Sequence, residues 1–292
     1  MPKSAIFDVD GTLIDSVDLH ALAWHEFVHF GYNVTFEQAR SQIGKGGDNL
    51  LPEFLTPQQV DECGPALEDW RGKRFKNAYL PFVRPFSAVP ALLQRLRANG
   101  IKLAAASSAK KDELDVYLQI AEVADLFDAT VSSEDVQTSK PAPDAFKVAI
   151  HKLGVPPSEA IAIGDSPYDA QAATRAGLRA LGFLSGGFAE EALCEAGCSN
   201  LYWTKWSPGL PPHFGFRTIT KLFSTSTSPQ SGRWHTASHE PANYALRGNG
   251  SRTLKRPSAS KARFPPMMGC RPFAFSVAGP RDEQVNEVTR TF

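Results

Sequence analysis

Two aspartates, Asp8 and Asp10, stand at the end of the first apolar run of the chain, in the stretch AIFDVDGTLIDS at 5–16. Carboxylates this close together repel each other and lose hydration on burial, so their site must be solvated or must hold a cation. Alternate residues of a strand share a face, which places both side chains on one side of the chain. Such a pair suits a hard cation, nucleophilic attack and proton transfer.

Further polar groups follow the later apolar runs. Ser107 and Ser108 come directly after IKLAAA, and their hydroxyls can donate to phosphate oxygens. Lys140 precedes a helix that starts with a proline, where a cation and a helix N-terminus can hold an anion together. Asp165 and Asp169 follow AIAIG. Since ligands collect beyond the carboxyl ends of parallel strands, we expect these groups to surround one metal ion and one phosphoryl group.

The elements that would position these groups are short apolar strands separated by helices. The strand candidates are 5–9, 101–106, 127–133, 160–165 and 179–183. Segments with apolar residues at helical spacing lie between them. This alternation predicts an α/β fold, a Rossmann-like parallel sheet with helices on both faces.

Two parts of the chain depart from this alternation. Residues 16–85 contain helical patterns without strand signals, which predicts a helical cap domain inserted into a core formed by 1–15 and 86–207. Residues 208–292 have no sustained period and are rich in serine, proline and glycine. We interpret them as a disordered basic tail.

Charge and composition restrict the possible partners. Residues 209–292 carry 12 Lys+Arg against 4 Asp+Glu, whereas the rest of the chain carries 19 against 27. A basic tail can bind nucleic acid, but no aromatic-basic module is present, so nucleic acid is not an expected partner. No apolar stretch reaches the roughly 18 residues of a membrane span, and the N-terminus has no signal-peptide pattern. We expect a cytoplasmic protein, and the sequence does not indicate its oligomeric state.

One zinc-binding pattern competes with this interpretation. His25, Glu26 and His29 fit H-E-x-x-H, and both histidines would share a helical face. No third ligand of the extended motif follows, and the segment belongs to the predicted cap. Zinc proteolysis is therefore disfavoured.

Four motifs, FDVDGTLIDS, AAASS, SKPAPD and IGDSPYD, resemble those of the haloacid dehalogenase-like hydrolases, in the order and on the elements expected for that family. The helical insert after the first motif is similar to the cap of the branch that contains phosphoglycolate phosphatases and β-phosphoglucomutases. The resemblance covers about 2–206. Dehalogenase members lack the second acid of the first motif, so the presence of Asp10 favours phosphoryl transfer over dehalogenation.

The resemblance implies a role for each acid of the motifs. Asp8 would attack the substrate phosphorus and form an aspartyl-phosphate, and Asp10 would act as general acid and then general base. Mg²⁺ would be bound by Asp8, by the backbone carbonyl of Asp10 and by Asp165, with Asp169 orienting this shell.

The resemblance also implies which groups bind the substrate. Ser107 and Lys140 would bind the phosphate oxygens, and either Ser107 or Ser108 could point inward. His20 falls where sugar-phosphate mutases of the branch carry a histidine, although phosphatases can have one too. Lys45 lies in the stretch IGKGGDNL, which resembles the specificity loop of the cap. The charge run RGKRFK at 71–76 could form the basic face of the cap, but a solvated helix face is favoured.

The resulting hypothesis is a Mg²⁺-dependent phosphatase that acts on a small phosphorylated metabolite through an aspartyl-phosphate. One alternative is a sugar phosphomutase of the β-phosphoglucomutase type, which uses the same intermediate. Another alternative is a non-catalytic binding module built on the basic tail.

Overall fold

A computed structural model describes residues 2–202 and 223. Its main sheet has six parallel strands: β1 (Ser4–Phe7), β2 (Lys102–Ala106), β3 (Ala129–Val131), β4 (Ala160–Gly164), β5 (Arg179–Phe183) and β6 (Cys198–Tyr202). The strand order is β3-β2-β1-β4-β5-β6. Strand β1 is therefore central, between β2 and β4. This confirms the predicted parallel α/β sheet and adds an edge strand that was not among the five candidates.

Helices occupy the segments between the strands. In chain order they are α1 (Val17–His25), α2 (Phe36–Gln42), α3 (Gly47–Leu50), α4 (Pro57–Ala78), α5 (Val89–Ala98), α6 (Lys111–Ile120), α7 (Asp144–Leu153), α8 (Pro167–Arg175) and α9 (Glu190–Glu195). Short 3₁₀ helices lie at Glu26–Phe30, Leu51–Glu53, Leu80–Phe82, Ala124–Leu126, Ser133–Asp135, Pro157–Glu159 and Leu184–Gly186. Helix α7 ends where Gly154 adopts φ 65°, the left-handed conformation that favours glycine at a helix C-terminus.

The sheet is covered on both faces, as the sequence predicts. On β1, Ala5 and Phe7 pack in one apolar cluster with α5 and α6, whereas Ile6 packs in another with α7 and α8. Because successive strand residues point to opposite faces, a short apolar strand such as this one is buried on both sides. Packing on both faces holds the central strand β1 in place, and with it the position of the residues that follow the strand.

The insert has an apolar cluster of its own, which includes Trp24, Phe27 and Leu67. Its two connections to the core run side by side, because Ile14–Asp15 pairs antiparallel with Arg84–Pro85. The predicted division at 15/16 and 85/86 lies at this two-stranded ribbon and stays a prediction.

Ser139, next to Lys140, forms several hydrogen bonds with the insert. The Ser139 N–H donates to Asp48 Oδ2 at 3.0 Å. The Gly46 N–H donates to Ser139 Oγ at 3.0 Å, and Asn49 Nδ2 donates to the Ser139 carbonyl at 3.0 Å. A Cβ on Gly46 would lie 2.5 Å from the Ser139 side chain, so this close approach requires glycine there.

Two predictions concern the remaining parts of the chain. The predicted disordered tail at 208–292 lies outside the described residues except for Phe223, whose side chain is buried in the same cluster as Phe7. Within the described part of the chain, no helix is both long and apolar enough to span a bilayer.

Candidate active site

Acidic and basic side chains meet where three neighbouring strands end. Asp8 follows β1, Ser107 follows β2 and Asp165 follows β4, while Lys140 comes from the loop before α7. The structure brings Asp8, Lys140, Asp165 and Asp169 together, which we call the acid-lysine group. All four residues are buried, and none is more than 4% exposed.

Lys140 lies at the centre of this group. Its Nζ donates to Asp8 Oδ1 and, at 2.8 Å, to the carbonyl of Ala106 at the end of β2. The same Nζ lies 2.8 Å from Asp169 Oδ1. One ammonium is therefore shared by two buried carboxylates, which favours its charged form. Although burial lowers the pKa of Lys140, the charges of Asp169 and Asp8 raise it further than burial lowers it.

The three acids form a group that suits a cation. Oxygens of Asp8, Asp165 and Asp169 all lie within 4.8 Å of one another. Asp8 Oδ2 is buried and has no hydrogen-bond partner among the described residues. Three carboxylates with one lysine leave an excess of buried negative charge, and carboxylate oxygens are the ligands that Mg²⁺ prefers. The donors present therefore fit a divalent hard cation.

Local contacts hold the two later acids in place. Thr12 Oγ1 donates to Asp165 Oδ1 at 2.8 Å. A Cβ on Gly11, which has φ 81°, would lie 2.3 Å from Asp165 Oδ2, so glycine is required at this turn. Asp169 Oδ2 accepts hydrogen bonds from the N–H and hydroxyl of Ser166, which forms a capping box at the start of α8. Asp169 thus has both the turn-capping role common for aspartate and a place beside Lys140.

Burial and the proximity of like charges shift the pKa values of the acids strongly. Burial, and then the charge of Asp169, raise the pKa of Asp8 to about 7. Burial, and then the charges of Asp8 and Asp169, hold the pKa of Asp165 well above its usual value. Without a cation the group therefore retains protons near neutral pH. A bound divalent cation would displace them.

Asp10 is in a different environment from Asp8. Strand β1 ends at Phe7, so both acids lie beyond it, and both line the same cavity. The Asp10 carboxylate accepts a hydrogen bond from Ser16 Oγ at 2.6 Å, and its Oδ1 lies 3.0 Å from His20 Nε2. Burial raises the pKa of Asp10, but His20 and Ser16 lower it more, so the net shift is downward. The carboxylate is not among the three that could share a cation.

His20 connects Asp10 to the insert. Its ring stacks on Phe75 at 3.9 Å, and its Nδ1 lies 3.4 Å from Arg71 Nη1. A guanidinium can only donate hydrogen bonds, so Nδ1 is the acceptor and Nε2 carries the proton that is donated to Asp10. The predicted cap residue His20 therefore lies at the site, in contact with the second acid.

A cavity of about 210 Å³ lies between the insert and the acid-lysine group. Its wall includes Asp8, Asp10, His20, Lys45 and Ser108. This volume is below the roughly 300–1,000 Å³ typical of sites for drug-sized ligands, so it suits a small metabolite.

The two serines after β2 differ in their access to the cavity. Ser107 is buried at 2% exposure, and its Oγ accepts a hydrogen bond from the Ala109 N–H at 3.0 Å. Ser108 forms part of the cavity wall. In this arrangement the cavity presents Ser108, the serine that the resemblance gave the smaller role.

Lys45 lies in the wall as part of the loop before α3. Its Nζ lies 2.7 Å from Glu53 Oε1 and 4.8 Å from the centre of the Tyr168 ring. The tyrosine belongs to α8 of the core, so Lys45 spans the gap between insert and core.

Arg71, which belongs to the run at 71–76 for which a solvated face was favoured, lies at the site. It lies in the cavity wall beside Trp24 and His20. Elsewhere in the run at 71–76 the interpretation as a solvated face fits better, since the Lys73 side chain is 73% exposed. Helical spacing could not distinguish Arg71 from the exposed Lys73, because the sequence does not show which face of α4 is packed.

The H-E-x-x-H segment is used for structural contacts. His25 Nδ1 lies 2.7 Å from the Val34 carbonyl, and Glu26 accepts hydrogen bonds from Arg74 and from the Tyr79 hydroxyl. Neither histidine belongs to a metal-binding group within the described part of the chain.

Comparisons with known proteins match this geometry. The model of the family described as haloacid dehalogenase-like hydrolase matches residues 5–183. Phosphoglycolate phosphatase of Nitrosospira multiformis is 30% identical over 211 residues, which cover 68% of this chain and 92% of that protein. Protein SUPPRESSOR OF QUENCHING 1, chloroplastic, of Arabidopsis thaliana is 33% identical over 187 residues, but the match spans 61% of this chain and only 17% of that longer protein.

Among solved structures, a hydrolase from Pseudomonas syringae has a similar fold. It is 26% identical, with a TM-score of 0.67 over 76% of this chain and 99% of that chain. The similarity thus extends across the insert as well as the sheet.

Proposed function

Because the chain belongs to the haloacid dehalogenase-like hydrolases, as a phosphatase of the branch that contains phosphoglycolate phosphatases and β-phosphoglucomutases, we propose that it uses Mg²⁺ and an aspartyl-phosphate to hydrolyse a small phosphorylated metabolite. The observation that carries this proposal is the buried acid-lysine group, in which Asp8 Oδ2 lacks a partner among the described residues. The cytoplasmic location and the absence of a nucleic-acid partner stay predictions from the sequence.

The acid-lysine group supplies the ligands for the metal. Asp8, Asp165 and the backbone carbonyl of Asp10 would hold Mg²⁺, and Asp169 would orient these ligands. When bound, Mg²⁺ supplies positive charge that offsets the repulsion between the phosphate and the carboxylates. Lys140 adds a second positive charge from the side of β2.

The chain's own residues carry each step of the reaction. An oxygen of Asp8 attacks phosphorus while the bond to the leaving alcohol oxygen breaks, and Asp10, which must be protonated for this step against its lowered pKa, gives its proton to that oxygen. Water then attacks the phosphorus, the bond to Asp8 breaks, and Asp10 takes a proton from that water, which returns both acids to their starting state. His20 donates a hydrogen bond to Asp10 and holds it in position between the two half-reactions. Ser107 or Ser108, with Lys140, bind the phosphate oxygens.

The direct test is release of phosphate from p-nitrophenyl phosphate with Mg²⁺ and with chelator in its place. We expect turnover that needs Mg²⁺ and that falls by about 10³-fold or more in Asp8→Asn, because the nucleophile is gone. Asp125→Asn, a change at an exposed aspartate, is the matched control. Full activity of Asp8→Asn would contradict the proposal.

A second candidate, a sugar phosphomutase, is compatible with the same site, although phosphatases of the branch can carry His20 too. The contact of His20 with Asp10 lies where mutases of this branch carry a histidine. In a mutase the aspartyl-phosphate would be attacked by a sugar hydroxyl before water reaches it. Conversion of glucose 1-phosphate to the 6-phosphate, measured against free phosphate, separates the two functions. The alternative of a binding module on the basic tail concerns residues outside the described ones.

A further inference from the structure

The loop at 184–187, which follows strand β5, lies against one acid of the acid-lysine group. Gly186 is buried, and a Cβ on it would lie 1.9 Å from Asp165 Oδ2, so the backbone of the loop is in contact with that carboxylate. The hydroxyl of Ser185 donates to the Gly11 carbonyl at 2.6 Å. A Cβ on Gly11 would lie 2.3 Å from the same carboxylate oxygen. Asp165 Oδ2 is thus enclosed by two backbone segments that are bonded to each other.

Arg40, on helix α2 of the insert, is bonded to the same loop. Its Nη2 donates to the Gly186 carbonyl at 2.9 Å, and its Nε donates to Asp18 Oδ1 at 2.8 Å. The Asp18 side chain is 65% exposed, so water screens this ion pair. The charged hydrogen bond to the backbone of the buried Gly186 is the stronger of the two contacts. Arg40 therefore connects the insert to the loop that touches Asp165.

We propose that Arg40 is a positioning residue for Asp165: it holds the loop at 184–187 against that carboxylate and thereby sets the affinity of the acid-lysine group for Mg²⁺. This inference rests on the proposed function, in which Asp165 is a ligand of the metal. Mg²⁺ demands nearly ideal octahedral geometry, so its ligands bind it well only when they are held in place. Groups that contact a metal ligand from outside typically contribute about 10- to 100-fold to metal affinity.

A purely structural role is the competing explanation for Arg40. If Arg40 only joined the insert to the core, its loss would lower the melting temperature and leave the affinity for Mg²⁺ unchanged. If it positions Asp165 through the loop, its loss would weaken Mg²⁺ binding, and saturating Mg²⁺ would restore turnover. The dissociation constant of Mg²⁺ therefore separates positioning from a general contribution to stability.

The experiment measures the Kd of Mg²⁺ by calorimetry on the full-length protein without substrate. Arg40→Met should raise this Kd by about 10-fold, because the loop loses its bond to the insert. Arg40→Gln, which is neutral and shorter, should raise it by about three- to tenfold. Asp18→Asn leaves the bond from Arg40 to Gly186 in place, so it should raise the Kd by less than about threefold.

Arg97→Met is the matched control. Arg97 also donates to a backbone carbonyl, that of Leu126 at 2.6 Å, and also lies near an aspartate, with 3.4 Å between its Nη1 and Asp128 Oδ1. It has no contact with the acid-lysine group among the residues that the structure describes. Its loss should change the Kd of Mg²⁺ by less than about twofold. Turnover of p-nitrophenyl phosphate by Arg40→Met should return to within about twofold of the wild type at saturating Mg²⁺.

An unchanged Kd in Arg40→Met, with a native circular dichroism spectrum, would overturn the inference, and so would an equal rise in Arg97→Met. If Arg40→Met does not fold, Arg40→Gln decides in the same way. If the wild type binds Mg²⁺ but hydrolyses no phosphate ester, the proposed function fails, and the Kd values still decide the role of Arg40. If the wild type binds no Mg²⁺, both fail.

Discussion

The core side and the insert side of the cavity use charge in opposite ways. On the core side, three buried carboxylates share one buried lysine, and their charges interact strongly because water is excluded. On the insert side, Lys45 and Lys73 pair with acids that are 46% and 59% exposed, where water screens the attraction. The strongly interacting charges of the core side can therefore take part in a reaction, whereas the screened charges of the insert side mainly contribute to the selection of a substrate.

The strongest test of this contrast is Lys140→Met. It removes the cation that the acid-lysine group shares, so we expect activity on p-nitrophenyl phosphate to fall by about 10³-fold. Lys147→Met, a change at an exposed lysine of α7, should leave activity near that of the wild type. A loss of less than tenfold in Lys140→Met would show that the core side does not depend on its lysine.

A second test separates the two acids of the first motif. Asp10→Asn should lower kcat about 10²-fold for an alkyl phosphate and clearly less for an aryl phosphate, because the aryl leaving group needs no proton. The exposed Asp15→Asn serves as the control. Equal losses for both leaving groups would argue against proton transfer by Asp10.

A third test uses pH. In metal-free protein the pKa of Asp8 is raised from 3.8 to about 7, so the folded state binds one more proton than the unfolded state between these values. The contribution of Asp8 to the free energy of unfolding should therefore be largest below about pH 4. It should fall by a few kcal/mol as the pH rises to about 7.

Urea unfolding with chelator, repeated from pH 4 to 7, measures this slope. Asp8→Asn should flatten it, since asparagine does not titrate, and added Mg²⁺ should restore stability near pH 7. A slope of the same size in Asp8→Asn would assign the effect to other groups.

The smallest expected effect concerns the insert side. Lys45→Met should raise KM by about three- to tenfold for a preferred substrate and leave kcat nearly unchanged, because the lysine contributes binding that does not change during the reaction. Steady-state kinetics on a panel of small phosphate esters measures both constants. A 100-fold fall of kcat would show that Lys45 takes part in the reaction, and would contradict the assignment of the insert side to substrate binding.

The same contrast explains what the sequence could predict. Asp8, Lys140, Asp165 and Asp169 follow strands whose ends the apolar runs locate, so their meeting was predictable from strand order and the family motifs. Arg71 was not, because charged residues at 71–76 look alike until the packing of α4 against Trp24 is known. The contacts of Asp10 with Ser16 and His20 were not predicted either, because they depend on how α1 packs beside the end of β1.

The two chain crossings between insert and core are paired with each other, because Ile14–Asp15 and Arg84–Pro85 form an antiparallel ribbon. The pairing restricts the backbone of both crossings, so we expect any movement of the insert relative to the core to involve both of them at once. Such a movement would break the hydrogen bonds of Gly46, Asp48 and Asn49 with Ser139, the neighbour of Lys140 in the chain. Access to the cavity would then be coupled to the contacts that surround this lysine.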